Sequence, residues 1–264
     1  MLFKSNLKNL VLVKLGGSLI TDKSQPYIVR SDVIRRLCQE IHDARQTQKF
    51  PLLIGHGGGS FPHVSAKKYE THKGIIHEKS WEGFVKVQED AAKLNRIIVS
   101  SLMEAGEWPI AMQPSASCIA RNGRIVRWDE QAIRLALAGG LLPVPYGDVC
   151  FDLKNGCCII STEEILRFLC KKLRPARIIM AGKTDGVLDQ NGQVIPSITR
   201  KNFRSIRWLL SGSDGVADVT GGMAAKVKTS LEFNVDTQII NGLTPDTLKR
   251  ALLGDQGLGT MIRR

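Results

Sequence analysis

The segment Leu10-Val11-Leu12-Val13-Lys14-Leu15-Gly16-Gly17-Ser18 is an apolar run of strand length that stops at two glycines. Runs this short and this apolar fit a strand buried on both faces, and the glycines mark its end. Lys14 breaks the run, and an unpaired ammonium inside such a strand is costly. Lys14 therefore needs a partner or a task.

Outward from this strand, apolar runs and helical patterns alternate. Residues 31–48 predict an amphipathic helix capped by Ser31 or Asp32, with Val33, Leu37 and Ile41 on one face. Residues 51–55 predict a second buried strand, followed at once by His56-Gly57-Gly58-Gly59-Ser60. A helix over 80–105 ends before Gly106. Strands are expected at 109–113 and 141–145, with a helix near 129–138 and hairpins at Asn122-Gly123 and Asn155-Gly156. A helix over 162–173, capped by Ser161 or Thr162, precedes a strand at 176–181. The turn Asp218-Val219-Thr220-Gly221-Gly222 opens a helix at 223–233, and a strand follows at 237–241. The last helix is expected to start at Thr244, with Pro245 in its first turn, and to end at Gly254. This alternation predicts one α/β domain over residues 1–264, a mostly parallel central sheet sandwiched between helices in three αβα layers.

Composition removes several classes. The chain has 264 residues, 43% hydrophobic and 23% charged, which is too apolar for disorder and long enough for a core without staples. No apolar run approaches ~20 residues, so no membrane helix is expected, and no signal-peptide pattern opens the chain. The cysteines Cys38, Cys118, Cys150, Cys157, Cys158 and Cys170 form no Cys-x-x-Cys pair and read as reduced, buried thiols of a cytoplasmic protein. No metal-ligand spacing is present. The formal charge of +12 comes from lysines and arginines spread along the chain, with only 6% aromatics. That is a solvated basic surface suited to phosphorylated small molecules, and no nucleic-acid partner is expected.

Three segments combine a strand end or turn with glycines and a helix start: Lys14 to Ser18, His56 to Ser60, and Asp218 to Met223. Glycines let a backbone approach a ligand, and N–H groups at a helix start favour an anion. In an open α/β sheet such turns gather at the carboxyl edge. None matches G-x-x-x-x-G-K-[ST] or G-x-G-x-x-G, which excludes a Walker-type NTPase and an evident dinucleotide enzyme.

Taken in order with Thr21-Asp22-Lys23, Phe61-Pro62-His63, Ala66-Lys67-Lys68-Tyr69, Gly147-Asp148 and Thr184-Asp185-Gly186-Val187, these segments resemble the amino acid kinase superfamily from about residue 10 to 260. His63, the second histidine of its segment, makes the isopentenyl phosphate kinase branch the nearest likeness. The resemblance implies γ-phosphoryl transfer from ATP, with Mg²⁺, to isopentenyl phosphate, giving isopentenyl diphosphate. It also implies an acceptor-binding lobe at about 1–150, a nucleotide-binding lobe at about 151–264, and a homodimer. Two other readings stay open: a family kinase for another monophosphate, a phosphonate or a carboxylate, and a nucleotide-binding protein without turnover.

The resemblance also suggests roles. Lys14 would neutralise the transferring phosphoryl group, Lys226 would sit on the ATP phosphates, His63 would hold the acceptor phosphate, and Asp148 would orient the lysines. Gly16, Gly17, Gly57, Gly58, Gly59 and Ser60 would offer donors to the substrate, with Phe84 and Val87 against its five-carbon tail. Ser18, Lys23, Lys183, Thr184, Asp185, Gly221 and Gly222 would border the nucleotide. Four positions depart from the family pattern: Pro62, where glycine is usual; Tyr146, where histidine is usual; Thr162-Glu163-Glu164, for a Gly-Asp-Asp-like segment; and Gly182-Lys183, for Thr-Asp.

Overall fold

The computed structural model describes residues 7–22, 24–206 and 222–264. Strand β1 (Val11–Leu15) is the second of the parallel strands from one end of the main ladder, between β2 (Leu52–His56) and β9 (Arg177–Gly182). Beyond β9 lie β11 (Thr237–Asn241), β12 (Thr260–Ile262) and β10 (Ser197–Ile198). β12 runs antiparallel to β11, so the sheet is mixed, with its parallel strands at the heart. On the other flank, a bridge from His56 to Tyr146 brings up β6 (Leu142–Pro145), which pairs with β3 (Pro109–Met112). A four-stranded sheet of β4 (Ile119–Arg121), β5 (Arg124–Arg127), β7 (Asp148–Asp152) and β8 (Gly156–Ile160) is separate from this ladder.

Side chains alternate along a strand, and β1 shows what that does here. Val11, Val13 and Leu15 pack with α2 (Ser31–Thr47), α4 (Ser80–Glu104) and α9 (Thr247–Leu252) in one core layer. Leu10 and Leu12 pack on the opposite side with α6 (Thr162–Leu173) and α8 (Gly222–Glu232). The expected three layers follow from this division. Lys14 shares the face of Leu10 and Leu12, so the strand's period points its side chain toward the layer that holds α6 and α8.

The hairpins stand where expected. Asn122 and Gly123 both have positive φ, 52° and 75°, between β4 and β5, and Gly156 at 75° closes β7 onto β8. Ser161 caps α6 by accepting from the Glu164 N–H. The short helices α1 (Gly17–Ile20), α3 (Ser60–Lys68), α5 (Gln131–Ala138) and α7 (Arg200–Ile206) complete the set among the described residues.

Two helix starts differ from expectation. α2 has Arg30 at its cap position and no side-chain cap from Ser31 or Asp32. α9 starts at Thr247 rather than Thr244, after Asp246 in the left-handed region at φ 61°. Its missing cap comes from across the fold. The buried Glu40 carboxylate of α2 accepts from the N–H groups of Asp246 (3.2 Å), Leu248 (3.0 Å) and Lys249 (3.2 Å). Arg36 pairs with Glu40 and donates to the Gly242 carbonyl at 2.6 Å. Glu40→Ala should lower unfolding free energy by about 2–4 kcal/mol, since it strands buried donors and a guanidinium together. Urea titration of the two proteins checks this, and equal midpoints would show that the carboxylate holds nothing.

Candidate active site

The carboxyl ends of β1, β2, β6 and β9 meet at one edge of the sheet, where two glycine turns pack backbone to backbone. A Cβ on Gly17 would lie 2.7 Å from the Gly59 Cα, and one on Gly57 would lie 2.8 Å from the Gly17 nitrogen. Only glycine permits that approach. Thr21 staples the turns: its fully buried hydroxyl donates to the Gly17 carbonyl and accepts from the Ser60 N–H, both at 2.9 Å.

The turns present fewer free amides than expected. The Gly16 N–H is taken by the Ala181 carbonyl, the Gly57 N–H by Leu15 and the Ser60 N–H by Thr21. The expectations of free amides at Gly16 and Gly57 are corrected, because strand register and packing use these groups for the fold. Among the described residues, the N–H groups of Gly17, Ser18, Gly58 and Gly59 meet no protein acceptor. The buried Ser60 hydroxyl also has none, at the start of α3. These five donors suit an anion. His63 lies on the exposed side of the same helix, at its fourth residue. Pro62 has no N–H to add, and its ring lies where a Cβ on Gly58 would go.

Lys14 is 8% exposed and its Nζ donates to Glu163 Oε1 at 2.5 Å. Burial alone would raise the Glu163 pKa. The charge and hydrogen bond of Lys14, with the charge of Lys226, outweigh burial and hold it below the ordinary carboxylate range. One carboxylate thus feels both lysines that the sequence singled out. Asp148 was expected in this place, and the structure corrects that. Its own carboxylate accepts from the Ser115 N–H (3.1 Å) and the Val149 N–H (2.8 Å), anchoring the turn Pro114–Ala116. Burial pushes the Asp148 carboxyl up to about 6, against those hydrogen bonds.

The nucleotide-edge residues follow β9. The Thr184 hydroxyl donates to the Gly186 carbonyl within its own turn, and Asp185 accepts from the Asn241 amide, which ties the turn to the end of β11. Hydrogen bonds from Ser24 hold the exposed Asp22 carboxyl below its ordinary range, with Arg30 and Lys183 adding their charges. Lys183 therefore lies near the loop that follows the first glycine turn. Gly222 opens α8 at φ 65°. Lys23 and Gly221, with the rest of the turn from Asp218, lie outside the described residues.

Of the two expected tail contacts, Val87 is 1% exposed and packs with Ala66, Val149 and Cys157, so it presents no wall to a ligand. Phe84 differs. It lies at the rim of that cluster, 4.9 Å from the Phe151 ring and 5.9 Å from Trp81, both partly open to solvent.

The sequence reading missed Thr21 as a staple and Glu163 as the partner of Lys14. Glu163 was visible only as a departure in Thr162-Glu163-Glu164. The signal available was the need of Lys14 for a counter-charge.

Residues 9–240 match the model of the amino acid kinase family. The chain is 35% identical to the isopentenyl phosphate kinase of Methanocaldococcus jannaschii over 254 residues, covering 93% of this chain and 96% of that one. It is also 35% identical to the isopentenyl phosphate kinase of Methanothermobacter thermautotrophicus, covering 96% and 98% of the two chains. A solved structure of isopentenyl phosphate kinase superposes with a TM-score of 0.79 at 30% identity, covering 96% of this chain and all of that one. The chain belongs to the amino acid kinase family.

Proposed function

We propose that this protein is a phosphotransferase that moves the γ-phosphoryl group of ATP to a small phosphate monoester, isopentenyl phosphate in the first place. The observation that carries this reading is the joined pair of glycine turns with unspent donors, beside a buried lysine pinned by a half-buried carboxylate. Isopentenyl phosphate kinase relatives of nearly the same length support the choice of acceptor.

Both reactants are anions, and the acceptor oxygen needs no strong base. Catalysis then consists of neutralising repulsion and aligning the two groups. An ammonium has three donors. With one on Glu163, Lys14 has two for the phosphoryl oxygens, and Lys226 adds charge from the start of α8. The Gly17 and Ser18 amides serve the donor phosphates. The Gly58 and Gly59 amides, the Ser60 hydroxyl and the His63 ring serve the acceptor. In this reading the first half of the chain, to about residue 150, seats the acceptor and the second half seats ATP, with the Gly17-Ser18 turn of the first half reaching across to the donor phosphates. Lys14 and Glu163 join the two halves. Mg²⁺ enters with ATP. An ion that arrives with ATP keeps phosphate oxygens and water as its main ligands.

A homodimer in the cytoplasm completes the reading. All six thiols are buried and unpaired in the structure, and no described helix is long and apolar enough to cross a membrane.

The test is an acceptor panel with ATP and Mg²⁺. Isopentenyl phosphate should yield isopentenyl diphosphate and ADP in equal amounts. No turnover on it, with turnover on a sugar or nucleoside monophosphate, would replace this acceptor by the second reading. Pro62, which offers no N–H, and the burial of Val87 are the observations that favour that alternative.

A further inference from the structure

His56 ends β2 and is fully buried. The ring is held on three sides. The Asn95 side-chain nitrogen, from α4, lies 3.0 Å from His56 Nε2 and 3.3 Å from the Val144 carbonyl. Tyr146 stacks on the ring at 5.5 Å between centroids and 7° between planes. His56 Nδ1 lies 3.1 Å from the Gly57 carbonyl.

These contacts determine where the proton sits. The Asn95 atom that faces a carbonyl must be the NH₂ group, because two acceptors would repel. The same nitrogen faces Nε2, so Nε2 accepts. The single proton of a neutral imidazole is then on Nδ1, which donates to Gly57. Burial lowers the His56 pKa to about 4, so the ring is neutral near pH 7.

The Gly57 carbonyl is thereby drawn toward the core. In a trans peptide the carbonyl and the next N–H point in opposite directions. The Gly58 N–H is directed away from His56, and it is one of the amides with no protein acceptor among the described residues. The Gly58 carbonyl is also fixed, by the Phe61 N–H at 3.2 Å.

We infer that Asn95 and His56 are a positioning pair, which fixes one imidazole tautomer so that the Gly57–Gly58 peptide aims its amide at the acceptor phosphate. This rests on the kinase reading above, because the phosphate is what the amide would meet. Neither residue touches the substrate. Their effect passes through one peptide plane.

The first measurement needs no activity. Imidazole ¹⁵N shifts of the wild-type protein should show His56 neutral with its proton on Nδ1. A proton on Nε2 overturns the inference. The second compares isosteres. His56→Asn keeps a donor at the Nδ1 position, whereas His56→Gln places its amide at the Nε2 position. His56→Asn should retain kcat/KM for the acceptor within about threefold. His56→Gln should lose about 10- to 100-fold, with the KM for ATP unchanged, on the scale of one misdirected donor. Asn95→Leu should lose about tenfold by the same measure, because an Nε2 without its donor lets the imidazole take the other tautomer. Equal losses in the two His56 variants, or a parallel rise in the KM for ATP, would reduce His56 to a packing residue. If the wild-type protein phosphorylates no acceptor on the panel, the kinase reading fails on that result alone, and the ¹⁵N shifts still decide the tautomer.

Discussion

Replacing Lys14 by methionine should lower kcat by roughly 10³-fold and leave the KM for ATP within a few-fold of wild type. The size follows from where the charge works. As the γ-phosphoryl group moves between two anions, its oxygens need a cation that is already in place, and preorganised donors of this kind are worth about 10²–10³ in kcat each. A cation supplied to a transferring phosphoryl group is worth about 10³–10⁵. Lys14 is preorganised in this sense. It sits at the fourth residue of a strand locked in register with Gly55 and Met180, and its Nζ is pinned by Glu163. Methionine keeps the stem's packing in the layer of Leu10 and Leu12, so the lost term is the charge.

Glu163→Gln separates pinning from charge. It keeps the shape of the side chain and leaves Lys14 a neutral acceptor, so kcat should fall about 10- to 100-fold rather than 10³-fold. The double variant should be little worse than Lys14→Met alone, because groups that act as a unit are not additive. Fully multiplicative losses in single-turnover rates would mean that Glu163 acts on something other than Lys14. The Lys14→Met protein also leaves a half-buried carboxylate with Lys226 as its nearby cation, so an unfolding curve should accompany the rates. The double variant should recover part of any stability lost.

The residues that were legible in the sequence share one property: their evidence is local. The β1 run and its glycines predict the strand end without any partner. Asn122, Gly123 and Gly156 carry their own positive φ, and Ser161 caps the helix that it precedes. What was not legible depends on residues far apart in the chain. α9 starts three residues later than its local Thr-Pro signal because Glu40, more than 200 residues away, supplies the cap. The glycine turns were visible, but which amides remain for a ligand was not. That depends on Leu15, Ala181 and Thr21 each taking one. The resemblance placed the orienting carboxylate at Asp148. The strand period puts Lys14 under α6 instead, where Glu163 waits in the first turn. Val87 was expected against the acceptor's tail, and its packing with Ala66, Val149 and Cys157 puts it in the core instead.

His63→Ala should reduce kcat/KM for isopentenyl phosphate by about 100-fold and leave ATP binding unchanged. A hydrogen bond to a charged group contributes about 1.5–3 kcal/mol. At about 1.4 kcal/mol per tenfold, that is roughly 10- to 150-fold. An imidazole N–H can donate to phosphate oxygen whether or not the ring is protonated, so the loss should persist across neutral pH. The position supports a loss confined to the acceptor. His63 belongs to α3, whose start carries the Ser60 hydroxyl and follows the Gly58 and Gly59 amides, all from the turn after β2. The first turn, at Gly17 and Ser18, belongs to β1 and stands next to β9 and Lys183. Because α3 is exposed at residue 63, truncation there should leave stability within about 0.5 kcal/mol. His63→Gln, which restores a donor without the ring, should recover part of the lost acceptor use. Initial rates with each substrate varied in turn, together with calorimetric titration of ATP, give the comparison. If ATP binding falls with acceptor use, His63 belongs to the nucleotide side of the cleft and the division of the two glycine turns proposed above is wrong.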